Sequence, residues 1–301
     1  MRVLITGVAG FIGPHLAEAC IKKDWDVWGI DLADFSYGSI TFDFKTPRFT
    51  FEKRDARSIT REELRGVDYV FHLAFVTNIA NSIKNPLDTA RDNIDMTACV
   101  LEAARQAGVK KFVFPSTASA YGHNPTPWRE DMPNYPIEPY SWQKLSCEYA
   151  LKLWSACYGL PTVTLRLFQV FGENQRWDTV IAVFTRLKKE GKPVTLMETS
   201  PGSPYRSGQR DFIYVKEVAD AFIRAAESPK TGKGEVINIA SGSVVTIEDI
   251  AKAMSSDVVF IPKRGFEVER HEADISKARE ILDWHPKIAV LPWLKEYIKT
   301  L

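Results

Sequence analysis

The sequence predicts an α/β fold, a doubly wound parallel sheet with helices on both faces and a smaller C-terminal lobe. Three observations carry this expectation. The apolar run Val3-Leu4-Ile5-Thr6 meets glycines at positions 7, 10 and 13, and an apolar helical pattern follows at once. Strand-like runs then alternate with helical patterns through residue 168, the rhythm of strands laid side by side in one parallel sheet. Finally, a run ending in Ser116-Thr117 is followed by Tyr140 and Lys144, four residues apart in a helical pattern.

Residues 3–6 are continuously apolar and rich in β-branched side chains, as a strand buried on both faces requires. The turn Gly7-Val8-Ala9-Gly10-Phe11-Ile12-Gly13 lets the backbone approach a pyrophosphate, with a helix N-terminus facing its charge. A tight strand-to-helix turn without ligand is the plainer alternative. Residues 11–23 form an amphipathic helix and 26–30 a second strand ending at Asp31. An acidic residue about 20 positions beyond the glycines is where an adenosine ribose hydroxyl is held. A carboxylate there also repels a 2′-phosphate, which favours NAD over NADP. The alternative for Asp31 is a loop aspartate facing solvent.

Residues 34–48 form an irregular loop, and Phe49–Lys53 a third short strand. A fourth strand covers 69–74, and 86–107 make a long helix stopped by Gly108. The fifth strand, 111–114, ends at Pro115-Ser116-Thr117. The helix Pro139–Tyr158, closed by Gly159-Leu160-Pro161, precedes a sixth strand at 162–168. Beyond residue 169 the rhythm is less regular. Residues 211–215 form a strand returning to the first domain, 216–227 a helix and 236–239 a further strand. The expected division is a cofactor-binding domain at 1–168, with returning segments near 211–239, and a region at 169–301 that is mainly a substrate-binding lobe.

A chain of 301 residues can bury a substantial core. Its 45% apolar and 26% charged residues are ordinary for a soluble globular protein. A formal net charge of +1 argues against a nucleic-acid surface or a polybasic membrane patch. No window reaches the ~18 apolar residues of a membrane span. With the N-terminus passing directly into a strand, a cleavable signal peptide has no room, so a cytoplasmic protein is expected. Cys20, Cys99, Cys147 and Cys157 have no Cys-x-x-Cys spacing, and most fall in apolar helical patterns as buried, reduced side chains. The five histidines show no metal-ligand spacing. Neither a metal nor a disulfide is expected.

Tyr140-Ser141-Trp142-Gln143-Lys144 places a phenol and an ammonium on one helix face. A free tyrosine titrates near ~10 and is a poor base at neutral pH. The Lys144 ammonium and the positive nicotinamide of an oxidised cofactor would favour the phenolate. Tyr140 would then take a proton from a substrate hydroxyl while the carbon beneath gives hydride to the nicotinamide. Thr117 would hold the same hydroxyl, and Lys144 the nicotinamide ribose. An ordinary helix-face Tyr–Lys pair is the alternative.

The segment Thr6 to Gly13, TGVAGFIG, is spaced Gly-x-x-Gly-x-x-Gly and resembles the extended, nucleotide-sugar-modifying branch of the short-chain dehydrogenase/reductase superfamily, the NAD-dependent nucleotide-sugar epimerase/dehydratase family. Further matches run nearly to the C-terminus. The resemblance implies a Rossmann-type domain holding NAD, a nucleotide-diphosphate sugar as substrate, and a homodimer paired through helices 86–107 and 139–158. It implies cofactor contacts from Gly7, Gly10, Phe11, Ile12, Gly13 and Asp31, and adenine contacts from Asp55 and Ala56. The His72-Leu73-Ala74 segment would line the cofactor through Leu73 and Ala74, with His72 given no catalytic role. Asn93 matches a cofactor-side position, although an asparagine there could equally be a solvated helix residue. Tyr140 and Lys144 complete the cofactor contacts.

On the substrate side, Pro115-Ser116-Thr117-Ala118-Ser119-Ala120-Tyr121-Gly122 resembles the catalytic strand end, with the active hydroxyl at Thr117 and a supporting one at Ser116. In Arg166-Leu167-Phe168-Gln169-Val170-Phe171-Gly172, Gln169 replaces the family's substrate-contacting asparagine. Arg210 and Arg264 match positions that grip a diphosphate, for which guanidinium forks are suited; Arg270 is a third candidate. Arg176, in Gln175-Arg176-Trp177-Asp178, falls where uronate-handling epimerases place an arginine for the sugar carboxylate, the alternative being a solvated loop residue. The segment 273–279 matches the start of the family's C-terminal helix.

The superfamily uses one oxidation for epimerisation, 4,6-dehydration, decarboxylation or simple redox. Dehydratases follow the active threonine with Asp-Glu, whereas Ala118 and Ser119 stand here and neither can act as acid or base. A GDP-mannose 3,5-epimerase needs a cysteine at Ser119. The expectation is therefore an NAD-dependent nucleotide-sugar 4-epimerase, on a UDP-hexose or UDP-uronic acid. The alternatives are an NAD(P)-dependent 4-keto-sugar reductase or sugar dehydrogenase, and a non-catalytic NAD-binding protein.

Overall fold

The computed structural model describes residues 1–36, 38, 40–254, 257–262 and 268–300. Among them the main sheet has seven strands: β1 (Arg2–Thr6), β2 (Asp26–Asp31), β3 (Phe49–Lys53), β4 (Tyr69–His72), β5 (Lys111–Thr117), β6 (Thr162–Leu167) and β10 (Lys233–Ile239). Their spatial order is β10-β6-β5-β4-β1-β2-β3, and every pairing is parallel. Strand order reverses between β1 and β4, and ligands of open α/β sheets bind at the carboxyl ends beside such a switch point.

The strands are apolar on both faces because both are covered. Alternation along β1 sends Val3 and Ile5 to one layer and Leu4 to the other. The first layer includes α1 (Gly13–Lys22) and α7 (Val215–Glu227), with Leu16, Cys20, Val218 and Phe222 in the core. The second includes α4 (Met96–Ala107) and α5 (Pro139–Tyr158), with Val100, Leu101, Cys147 and Leu151. Cys20 and Cys147 are buried, whereas Cys99 and Cys157 are exposed, on helix faces turned away from the sheet.

Two expectations need adjustment. The helix expected over 86–107 runs unbroken to Gly108 but is not uniformly α: α3 (Pro86–Ala90) passes through a π-helical turn, Arg91–Asp95, into α4, and a separate short helix, α2 (Ile79–Lys84), precedes it. The wide turn centres on Asn93, whose side chain is fully buried among polar partners. Second, the strand expected at 211–215 exists as β9 (Gln209–Tyr214) but does not return to the main sheet. It hydrogen-bonds β7 (Gln169–Phe171), β11 (Val244–Thr246) and β13 (Arg270–His271) in a small sheet of its own. It is α7 and β10 that return.

The small lobe adds the pair β8 (Val194–Met197) and β12 (Val258–Ile261), with α6 (Val180–Lys189), α8 (Ile247–Ala253) and α10 (Val290–Ile298). Phe171, Phe184, Phe212, Met254 and Leu294 fill its separate core. The remaining helix, α9 (Ser276–Leu282), packs Ala278 and Leu282 into the core of the large sheet. No helix among the described residues is long and apolar enough to cross a membrane.

Candidate active site

A cleft of about 820 Å³ opens at the carboxyl ends of the main sheet, with the residue 7–13 turn on one side and the segment 169–179 on the other. Gly7 holds φ +70°, and a Cβ there would lie 2.5 Å from the Ala74 backbone nitrogen. A Cβ on Gly13 would lie 2.4 Å from the Val8 carbonyl oxygen. Only glycine lets the turn fold this tightly. Gly7, Gly10, Phe11, Ile12 and Gly13 all line the cleft, and α1 starts at Gly13. The cradle fits a dinucleotide pyrophosphate: backbone can approach closely, and a ten-residue helix points its N-terminus inward.

At one end of the cleft, Asp31 closes β2. Its carboxylate accepts from the Ala9 and Ala33 backbone N–H groups, each at 2.9 Å, and so ties the strand end to the glycine turn. Asp55 and Ala56 line the same end. The Asp55 carboxylate accepts from the Arg57 backbone (2.8 Å) and guanidinium (2.6 Å), and the guanidinium holds its pKa below the usual range. Leu73 and Ala74 form the floor. Asn93 lies behind the wall. Its Oδ1 accepts from Val76 N–H at 2.6 Å, while its Nδ2 donates to the Val76 carbonyl (3.1 Å) and Gln143 Oε1 (2.7 Å). It therefore shapes the loop that lines the cleft rather than facing the ligand itself.

The Ser–Thr strand end and the Tyr–Lys helix meet at the centre. Thr117 ends β5, its Oγ1 accepting from Ser119 N–H at 3.2 Å. Ser116 Oγ is buried at the cleft wall and finds no partner among the described residues. Tyr140 sits in the first turn of α5, where Glu138 caps the helix by accepting from Ser141 N–H. One turn later Lys144 donates to the Pro115 carbonyl at 2.7 Å. The Tyr140 phenol is pushed up to about 12, first by burial and then by the Glu138 charge, with a hydrogen bond to Thr117 and the Arg176 charge opposing. Burial pulls the Lys144 ammonium down to about 7. Lys144 does not bring the expected depression of the phenol on its own, because its ammonium is turned to the Pro115 carbonyl and burial outweighs charge.

On the substrate side, Gln169 begins β7 and faces both this cleft and an adjoining cavity of about 230 Å³. Arg210 lines that second cavity, donating to the Gln209 (2.8 Å) and Glu269 (3.0 Å) carbonyls. Arg176 lines the main cleft but forks Asp178, with Nε to Oδ1 at 3.0 Å and Nη2 to Oδ2 at 2.5 Å. Arg270 forks away, donating to Glu272 Oε2 (2.9 Å) and Gln209 Oε1 (3.0 Å). Arg264 lies outside the described residues. Phe75, Asn78, Ser119 and Asp178 also line the cleft, though none was expected there as a site residue. Ser119 and Asp178 lie inside motifs already singled out, and Phe75 and Asn78 follow Ala74 by one and four residues, the only signal available.

A glycine cradle at the switch point, opposite a hydroxyl, a phenol and an ammonium, defines an enzyme that oxidises and reduces through a bound nicotinamide dinucleotide. The model of the NAD dependent epimerase/dehydratase family matches residues 3–240, and the chain belongs to that family. NAD is the family's cofactor. The chain is 31% identical over 310 residues to a UDP-glucose 4-epimerase of Mycolicibacterium smegmatis, covering 96% of this chain and 95% of that one. It is 30% identical over 324 residues to a UDP-glucuronate 4-epimerase of Thermodesulfobacterium geofontis, covering 99% and 97%. Among solved structures it matches a UDP-N-acetylglucosamine 4-epimerase of Methanobrevibacter ruminantium, in complex with UDP-N-acetylmuramic acid, with TM-score 0.88, 33% identity and coverage of 99% and 97%.

Proposed function

We propose that this chain is an NAD-dependent nucleotide-sugar 4-epimerase acting through a transient 4-keto sugar, on a UDP-hexose or UDP-uronic acid. The observation that carries this reading is the convergence of Thr117, Tyr140 and Lys144 on one cleft, with Ala118 and Ser119 where an elimination would need an acid and a base. Bound NAD⁺ supplies the hydride acceptor and a positive charge that offsets the burial of the phenol. Thr117 Oγ1 orients the C4 hydroxyl, and Tyr140 takes its proton as the C4–H bond gives up its electron pair. Lys144 holds the ribose. The planar ketone turns in the pocket, and Tyr140 returns the proton when hydride comes back to the opposite face. An epimerase needs no further group.

Residues 1–168, with α7 and β10, serve the cofactor; the rest, with Gln169, Arg176, Arg210 and Arg264, serves the sugar nucleotide, and Ser116 supports the sugar from the β5 end. The adjoining cavity beside Arg210 suits the nucleotide diphosphate. We place the enzyme in the cytoplasm as a homodimer. The stripe Trp142, Tyr149 and Leu153 on α5, at 48%, 58% and 51% exposure, supports the pairing.

The test incubates the protein separately with UDP-glucose, UDP-GlcNAc, UDP-glucuronate and their C4 epimers, resolving products by NMR while reduced nicotinamide is followed by absorbance. Interconversion of C4 epimers without net NADH is expected. Steady NADH change, or conversion only of a 4-keto sugar with added reductant, would assign a dehydrogenase or reductase instead.

A further inference from the structure

We infer that Phe75 is a positioning residue for the Tyr140–Lys144 pair, capping the ammonium with its ring face and bracing the phenol ring beside it. This rests on the reading of Tyr140 and Lys144 as the reacting pair. Phe75 follows β4 on the cleft wall. Its ring centroid lies 3.7 Å from Lys144 Nζ, and the Phe114 ring lies 4.5 Å from the same atom. The Phe75 and Tyr140 rings meet edge to face, 6.0 Å apart at 81°. Phe75 is itself fixed, because its neighbour Val76 is clamped through both backbone groups by the buried Asn93 side chain.

Among the described residues the ammonium has one hydrogen-bond partner, the Pro115 carbonyl, and otherwise meets aromatic carbon. Burial works against its charge. The quadrupole of each ring face works for it, by attracting a cation held within about 6 Å. The titratable groups that face Lys144 are Tyr140, Cys147 and Glu148 on α5, of which Glu148 is neutralised by Arg166, and His72 on β4, which burial keeps uncharged. The aromatic cap is therefore what keeps Lys144 cationic near neutral pH, and the edge contact holds the phenol where Thr117 meets it.

The test separates ring charge from ring volume. In protein carrying lysine labelled with ¹³C at Cε, the Lys144 resonance, assigned by its loss in Lys144→Met, is followed against pH. Phe75→Leu keeps most of the apolar bulk and removes the quadrupole; Phe75→Tyr keeps both. The Lys144 midpoint is expected to fall by roughly half to one and a half pH units in Phe75→Leu and to hold in Phe75→Tyr. The alkaline limb of the kcat profile should move the same way, with KM for the UDP-sugar little changed. A leucine midpoint that stays or rises, in a variant with wild-type melting, overturns the proposal. Should that variant not fold, Phe75→Met gives the same comparison. Tyr140→Phe runs alongside: turnover that survives it overturns the catalytic reading, whereas lost turnover with an unmoved leucine midpoint overturns only the role of Phe75.

Discussion

Arg166 on β6 forks Glu148 on α5, with Nε to Oε1 at 2.9 Å and Nη2 to Oε2 at 2.7 Å, both side chains almost wholly buried. The same guanidinium donates to Asn134 Oδ1 at 2.7 Å and lies 4.5 Å from the Tyr121 ring centroid. Glu148 is one turn beyond Lys144, so the pair pins the catalytic helix to the sheet. Removing either partner leaves an uncompensated buried charge. Arg166→Met or Glu148→Leu alone should cost about 3–5 kcal/mol in urea unfolding. The double variant should lose less than either single, because the desolvation of both ions disappears with them.

In the proposed mechanism the Tyr140 phenolate accepts the proton, so Tyr140→Phe should lower turnover by roughly 10²–10⁴-fold while NAD stays bound. Thr117→Val should fall in the same direction by less, since it orients the hydroxyl without taking the proton. NMR of the C4 epimers measures the rate, and nucleotide released on denaturation measures the NAD content.

What could be read from the chain was what is local. Gly7, Gly10 and Gly13, Asp31 at a strand end, and Tyr140 with Lys144 are patterns within one turn or one helix, where residue type and spacing carry the geometry. What could not be read depends on partners far along the chain. Asn93 meets Val76 and Gln143, Arg166 meets Glu148 and Asn134, and Phe75 meets Lys144 across the cleft. Strand β9 shows the same limit: its apolar run is visible, but its choice of β7, β11 and β13 over the main sheet is a tertiary decision. The arginines show a local version of the same limit: Arg176 and Arg270 each engage a carboxylate only two residues on, Asp178 and Glu272, and that pairing is set by loop geometry rather than by residue type.

Asp31 should set cofactor choice. Its carboxylate accepts two backbone hydrogen bonds, one of them from the glycine turn itself. Charge-assisted bonds of this kind contribute about 1.5–3 kcal/mol each. Asp31→Ala should therefore weaken NAD roughly tenfold or more, while relief of repulsion offsets the loss for NADP. Titration calorimetry with both cofactors should show the preference for NAD shrinking; a preference that survives intact would place discrimination elsewhere.

His72 makes acid stability predictable. The ring is fully buried between Thr6 Oγ1 (2.7 Å from Nδ1) and Thr97 Oγ1 (3.1 Å from Nε2). Thr97 already gives its hydrogen to the Asn93 carbonyl, so Nε2 carries the proton and Nδ1 accepts from Thr6. Burial, then the Lys144 charge, pulls this histidine down to about 3 from 6.5. Between those values the unfolded chain binds a proton that the native protein does not. The stability His72 contributes is therefore complete above pH 6.5 and is lost as pH falls toward 3, at about 1.4 kcal/mol per unit. Urea melts at pH 7.5, 6 and 5 should show that slope in the wild type and a shallower one in His72→Gln.

The homodimer can be tested through one helix. On α5, Trp142, Tyr149 and Leu153 stand at i, i+7 and i+11, a single stripe pointing away from the sheet. Their exposure is unusual beside the fully buried Leu151 on the same helix. Leu87 on α3, at 72%, and Ile83 on α2, at 52%, add further apolar surface. A helix that shows apolar side chains to the core and to solvent lacks the one-sided pattern of a monomer's surface helix. At micromolar concentration, sedimentation should give twice the 34.1 kDa chain mass. Tyr149→Glu with Leu153→Lys places charges in the stripe without touching Tyr140, Lys144 or Glu148. That variant should sediment as one chain, with its NAD content kept. A wild-type mass of one chain would mean that the stripe serves something other than a second copy.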